Sequence, residues 1–106
     1  MTFASALTVT EDTATIRLAG ELDARTAPDF HHSIESAARL AIQRLVIAMN
    51  ELEYISSAGL RCLIFARQTL GEAVSLAVAG ARPAVARTIR MAGLDQGIEM
   101  MELHDV

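Results

Sequence analysis

The sequence predicts a single α/β domain: a mixed, mostly parallel sheet with an N-terminal hairpin and with helices packed against it. Three observations lead there. Short apolar or alternating runs recur at Ala6–Val9, Ala14–Leu18, Leu45–Met49, Val74–Ala79 and Ile98–Leu103. Stretches with helical spacing separate the last four of these runs, as parallel crossover connections require. Only Thr10 to Thr13 separates the first two, and Glu11-Asp12-Thr13 can form the hairpin turn. The resulting order is β-β-α-β-α-β-α-β, with right-handed crossovers after the opening hairpin.

Each element has a local reason. Ala14, Ile16 and Leu18 alternate with Thr15, Arg17 and Ala19, the period of a strand buried on one face. Gly20-Glu21-Leu22-Asp23 is expected to end that strand, with Gly20 relaxing the backbone. Asp23 or Thr26 is placed to cap the helix that follows, and Pro28 fits its first turn. Ala27, Phe30, Ile34, Ala37, Ala38 and Ala41 supply its apolar stripe. Leu45 to Met49 is an unbroken apolar run, as in a central strand buried on both faces. A second helix is expected to run to about Leu70, where Gly71 stops it. Pro83 fits the first turn of a third, whose stripe is Val85, Ile89 and Ala92 and which Gly93 ends. Leu94 can fold back onto that helix.

The stretch Leu52 to Arg67 is the most informative. Tyr54 and Ile55 close an apolar run, Ser56 to Gly59 are small, and Leu60, Leu63 and Ile64 then have the spacing of one helical face. Ser56 and Ser57 stand where a helix begins. A serine there can cap an orphan backbone N–H. The same place suits a phosphate, because free N–H groups point at it and the helix dipole favours negative charge. Both readings remain open on the residues alone.

Composition excludes several function classes. A chain of 106 residues, 52% hydrophobic, fills one modest core. The net charge of −4 disfavours non-specific nucleic-acid binding, which rests on neutralising phosphates. All nine basic residues are arginine. Arg61, Arg67, Arg82, Arg87 and Arg90 face only Glu72 between positions 61 and 92, an asymmetry that suits either partner steering or ordinary solvated helix faces. Cys62, the single cysteine, allows no intrachain disulfide and reads as a packing residue. Neither a secretory signal nor a membrane-spanning run is visible, so a cytoplasmic location is expected.

No enzyme constellation emerges. The six glycines are dispersed, and there is no lysine for a phosphate-binding loop. The histidines and lone cysteine lack zinc spacing. Adjacent His31 and His32 cannot share a helical face and read as surface or rim residues. Glu21, Asp23, Glu51 and Glu53 form no evident pair. A serine nucleophile would need His31, His32 or His104 brought close by the fold. A protein-binding rim of helix starts and loops is the better expectation.

Four motifs in order carry a resemblance. Gly20-Glu21-Leu22-Asp23, Tyr54-Ile55-Ser56-Ser57-Ala58-Gly59-Leu60, Gly80-Ala81-Arg82-Pro83-Ala84-Val85 and Gly93-Leu94 together resemble the STAS family, named for sulphate transporters and anti-sigma factor antagonists. The resemblance spans practically the whole chain, 1–106, as one STAS domain. It is strongest to the small bacterial anti-sigma factor antagonists. It implies a phosphorylation-regulated protein that binds a serine-kinase anti-sigma factor and releases its sigma factor, with a PP2C-type phosphatase reversing the modification. ATP would belong to the kinase, and the chain itself would need no cofactor or metal. It would be monomeric alone.

In that subclass an aspartate precedes the phosphoacceptor serine. The aspartate maps onto Ser56, the phosphoacceptor onto Ser57 and the next small residue onto Ala58. Asp23 matches the family's acidic residue after the second strand. Asp23, Ser56, Ala58, Gly59 and Arg61 are therefore the expected surroundings of the phosphate or the partner. Serine at position 56 is a departure that removes a negative charge beside the acceptor. The helix that commonly follows the last strand has no counterpart before Val106, so it is expected to be absent or removed. The alternative implied by the same family is a non-switching interaction subunit of a transport ATPase, related to lipid-asymmetry systems, or of a signalling assembly.

Overall fold

The computed structural model describes residues 2–103. The strands are β1 (Ala4–Thr10), β2 (Thr13–Leu22), β3 (Arg44–Ile55), β4 (Ser75–Ala79) and β5 (Glu99–Met101). The helices are α1 (Ala27–Ala38), α2 (Ser57–Leu70) and α3 (Pro83–Met91), followed by a single 3-10 turn at Leu94–Gln96. The sheet order is β1-β2-β3-β4-β5. β1 is antiparallel to β2, and every other neighbouring pair is parallel. This is the mixed, mostly parallel sheet with an N-terminal hairpin that the sequence predicts.

One core unites the layers. Ile16 and Leu18 of β2, Leu45 and Ile47 of β3, and Leu76 and Val78 of β4 point to the same side. Phe30 and Ile34 of α1, Leu63 and Ala66 of α2, and Val85 and Ile89 of α3 pack into the same cluster. Val46 and Ala48 are also buried but belong to the other face of the sheet, flanked in register by Thr15 and Ala77 and by Arg17 and Ala79. The unbroken apolar run Leu45–Met49 is therefore a central strand with buried residues on both faces, as expected.

Two boundaries, those of β3 and β5, depart from the sequence reading. β2 ends at Leu22, within Gly20-Glu21-Leu22-Asp23 as expected, with Gly20 held at φ +87° inside the strand. A Cβ at Gly20 would lie 3.0 Å from the Phe3 Cα, so the backbone entering β1 passes directly over it. β3 does not end at Met49 but runs on to Ile55. Two register shifts against β2 explain why its second half was hidden. Its core-facing residues are Leu45, Ile47, Met49, Leu52 and Ile55, so the period of two is broken twice. At the other end of the chain β5 is shorter than Ile98–Leu103 and covers only Glu99–Met101.

Helix faces also shift slightly. α1 ends before Ala41, which is exposed. In α2 the buried face is Gly59, Cys62, Leu63 and Ala66, while Ile64 is 40% exposed. The expected stripe Leu60, Leu63 and Ile64 was thus rotated outward. In α3 Val85 and Ile89 are buried as expected, joined by Ala86 rather than by exposed Ala92. Arg67 is not a solvated face residue: its guanidinium donates to the carbonyls of Gly71, Val74 (2.7 Å) and Gly97 (3.4 Å), tying the end of α2 to two loops. Arg82 donates from Nε to the Asn50 carbonyl at 3.1 Å.

The hairpin turn contains one costly residue. Glu11 has φ 58°, the only positive φ of a non-glycine among the described residues. A side chain in that region costs on the order of 1–2 kcal/mol, part of which glycine would give back as chain entropy. Replacing Glu11 by glycine is expected to stabilise the fold by about 0.5–1 kcal/mol in urea unfolding. A destabilised variant would contradict this account of the turn.

Candidate functional site

The ends of β2 and β3 build the site. Leu22 pairs with Ile55 in register, so Asp23 and Ser56 leave the sheet side by side at its carboxyl rim. The Ser56 N–H donates to the Leu22 carbonyl at 2.9 Å, which locks the two exits together. Rims of this kind, outside the carboxyl ends of parallel strands, are common binding surfaces in open α/β sheets.

Gly59 decides how closely α2 approaches that rim. A Cβ at Gly59 would lie 2.7 Å from Ile55 Cγ1 and 2.8 Å from Leu22 Cδ2. Only a residue without a side chain lets the first turn of α2 rest on both strand ends.

The two serines divide the roles that the sequence left open. Ser56 is the N-cap, with extended backbone, and its Oγ accepts from the Gly59 N–H at 3.4 Å. Its carbonyl accepts from the Leu60 N–H at 3.0 Å. Ser57 is the first helical residue and is exposed. Capping thus falls to Ser56, which is half-buried, and Ser57 is the more exposed of the two.

Asp23 works first on its own loop. Its Oδ1 accepts from the N–H groups of Arg25 (2.9 Å) and Thr26 (3.2 Å), and its carbonyl accepts from the Ala27 N–H at 2.8 Å. Thr26 occupies the N-cap position of α1 without giving its oxygen to the helix. Its hydroxyl instead donates to the Glu21 carbonyl at 2.8 Å and accepts from the Asp23 N–H at 2.9 Å. Partial desolvation pushes the Asp23 carboxyl up. The Arg25 and Thr26 N–H groups, the Arg25 charge and the Thr26 hydroxyl outweigh that push and hold the carboxyl below its ordinary range.

Ala58 and Arg61 turn towards α1. They line an open cleft of about 410 Å³ between α1 and α2, together with Ala27, Pro28, His31 and Phe65. His31 is half-buried and packs against Phe65 with the two rings tilted, centroids 4.0 Å apart and planes at 50°. His32 is exposed. Cys62 sits below, its thiol donating to the Ala27 carbonyl at 3.6 Å. Burial pushes that thiol up, against a smaller opposite pull from the Arg61 charge. The sequence placed His31 at the rim but missed its partnership with Phe65, since nothing in either stretch announces that the two helices meet there. No group of three metal-ligating side chains comes together among the described residues. His104 lies outside them.

Comparison with known proteins gives a consistent picture. Residues 5–103 match the family model described as "Mlab, STAS domain". The anti-sigma-F factor antagonist RsfB of Mycobacterium tuberculosis is 28% identical over 93 residues, 87% of this chain and 76% of that protein. The crystal structure of an anti-sigma factor antagonist from Mycobacterium paratuberculosis superposes with a TM-score of 0.87 at 25% identity, covering 94% of this chain and 86% of that one. The phosphorylated form of the Bacillus cell-fate determinant SpoIIAA shares the fold, with a TM-score of 0.67 at 24% identity and coverage of 92% and 90%. No helix among the described residues is long and apolar enough to cross a membrane.

Two outcomes are expected from this geometry. Gly59→Ala should destabilise the protein by about 1–3 kcal/mol through overpacking, although alanine is the better helix former by about 1 kcal/mol. A neutral or stabilising effect in denaturant unfolding would show that the contact with Leu22 and Ile55 yields freely. A folded-state pKa below the unfolded value stabilises above about pH 4, and that stabilisation is lost as pH falls through the folded value. Asp23→Asn should therefore flatten the acid limb of a stability–pH curve and leave no carboxylate-dependent gain there. An unchanged acid limb would remove Asp23 from the account.

Proposed function

The chain belongs to the STAS domain family, and from that premise we propose that it is a phosphorylation-regulated anti-sigma factor antagonist with Ser57 as its phosphoacceptor. In this reading the unmodified protein binds a serine-kinase anti-sigma factor in the cytoplasm and frees the sigma factor. The kinase, using its own ATP, then modifies Ser57, and a PP2C-type phosphatase restores binding. The chain itself performs no catalysis and acts as a single STAS domain, monomeric until it meets its partner.

One observation carries the residue assignment: Ser56 is spent as the cap of α2, while Ser57 is exposed as the first helical residue. A phosphate on Ser57 adds about −1.5 to −2 charges at neutral pH. At a helix N-terminus that charge is tolerated within the protein. Across an interface it must be desolvated and is repelled by partner acids, so binding is lost without refolding. The SpoIIAA likeness supports this, since the same fold persists there in a phosphorylated form. Asp23, Ser56, Ala58, Gly59 and Arg61 form the surroundings of the acceptor in this proposal. Ser56 replaces the acidic residue of the resembling subclass and lowers the negative charge beside it.

The family model supports a second reading. Its description names Mlab and a STAS domain, and within that family the alternative is a non-switching STAS subunit of a transport ATPase or signalling assembly. Phosphorylation separates the two.

Incubation with the cognate kinase and ATP, followed by site-resolved mass spectrometry, is expected to place phosphate on Ser57. S57A should lose the modification and keep binding the kinase. S57D should bind about tenfold more weakly, the effect of one desolvated, unpaired charge. S56A should still be modified, with a helix about 1 kcal/mol less stable for want of its cap. Phosphate on Ser56 alone, with normal modification of S57A, would overturn the assignment. Complete absence of modification would favour the non-switching subunit.

A further inference from the structure

The cleft between α1 and α2 is lined by Ala58, the residue after Ser57, and by Arg61, one helical turn on from Ser57. Its walls are mostly apolar: Ala27, Pro28, Ala58 and Phe65. Its polar groups are the exposed Arg61 guanidinium and the His31 imidazole. No acidic residue lines it, in a protein with thirteen acidic against nine basic residues. Arg61, like all the arginines but Arg25 and Arg44, has no ion-pair partner among the described residues, and within the cleft it is the one charged side chain. We infer that this cleft seats an apolar side chain of the partner that is flanked in sequence by a carboxylate, which Arg61 receives, and that a phosphate on Ser57 competes for the same guanidinium. The inference rests on Ser57 being the acceptor.

The geometry supports both halves. Phe65 and the alanines provide apolar surface without hydrogen-bonding demands, so an aliphatic or aromatic side chain is the fitting occupant. His31 packed on Phe65 keeps that wall in place. A guanidinium at the rim pairs well with a carboxylate in two-point geometry. The sign matters: a basic segment would meet Arg61 as a like charge, and a wholly apolar one would leave it unused. Ser57 and Arg61 are i and i+4 on α2, neighbours on one helical face about 5–6 Å apart at Cβ. A phosphate at position 57 therefore reaches Arg61 from within the chain, at an effective concentration that a partner carboxylate does not match. Phosphorylation would then act by occupying the cation that the partner uses as well as by adding negative charge to the interface.

The test uses the full chain and needs no kinase. Isotope-labelled protein is titrated with acetyl-Leu-Glu-Glu-Leu-amide and with the neutral acetyl-Leu-Gln-Gln-Leu-amide, and amide shifts are followed by NMR. The acidic peptide is expected to move the resonances of Ala27, His31, Ala58 and Phe65 and to bind about tenfold more tightly than the neutral one. R61E, whose substituted side chain is exposed and whose spectrum reports its folding, should abolish that difference. Protein carrying phosphoserine at position 57 should lose it too, while its binding of the neutral peptide stays unchanged. Equal binding of the two peptides, shifts away from the cleft, or a preference that survives R61E or phosphoserine would overturn the inference. Those results would leave the Ser57 assignment standing, because it is read by mass spectrometry with the kinase.

Discussion

The close approach of Gly59 to Leu22 and Ile55 is the contact on which the candidate site depends. With no side chain between them, the first turn of α2 lies against the ends of β2 and β3, where a Cβ would come within 2.7 Å of Ile55. The Ser56 N–H bond to the Leu22 carbonyl closes the same junction from the backbone side. Once these are set, little freedom remains. Ser56 must turn inward to cap Gly59, Ser57 must face solvent, and Arg61 one turn later must stand over the cleft towards α1. The Asp23 loop, held by its own hydrogen bonds to Arg25 and Thr26, forms the neighbouring part of the rim.

This arrangement suits a switch that works by charge. The proposed acceptor, Ser57, begins a helix anchored by Leu63 and Ala66 in the core and by Arg67 at its far end. In the proposed switch a phosphate on exposed Ser57 would leave the packing in place, and the two states would differ in surface electrostatics. A charge that is inexpensive on a solvated helix start is costly in a desolvated interface, and the difference between the two settings is the regulatory energy. A protein built this way can remain rigid and still be turned off.

Much of this was legible in the sequence because local signals and tertiary structure agree. Pro28, Pro83, Gly71 and the clean alternation of Ala14 to Leu18 marked elements where the structure has them. The second half of β3 was hidden because its two register shifts spoil the period of two just where Leu52 and Ile55 return to the core. Gly20 was expected to relax the backbone, and what it relaxes for, the close passage of the backbone at Phe3, is a contact between distant segments. The buried face of α2 was misjudged because Gly59 and Ala66 bury through closeness, which hydrophobic spacing under-weights. Arg67 and the His31–Phe65 wall depend on contacts between distant segments. The serines were recognisable as a helix start, and the family resemblance singled out Ser57 as the expected acceptor, but which of them caps the helix required the backbone geometry.

The central claim is that Ser57 phosphorylation controls binding of the kinase without altering the fold. Calorimetric titration of the kinase with unmodified and with stoichiometrically Ser57-phosphorylated protein, under one set of conditions, addresses it most directly. The account expects the phosphorylated form to bind at least about a hundredfold more weakly, as for an interface that must take in the added charge of a phosphate, with an unchanged unfolding transition. Equal affinities for the two forms would contradict it.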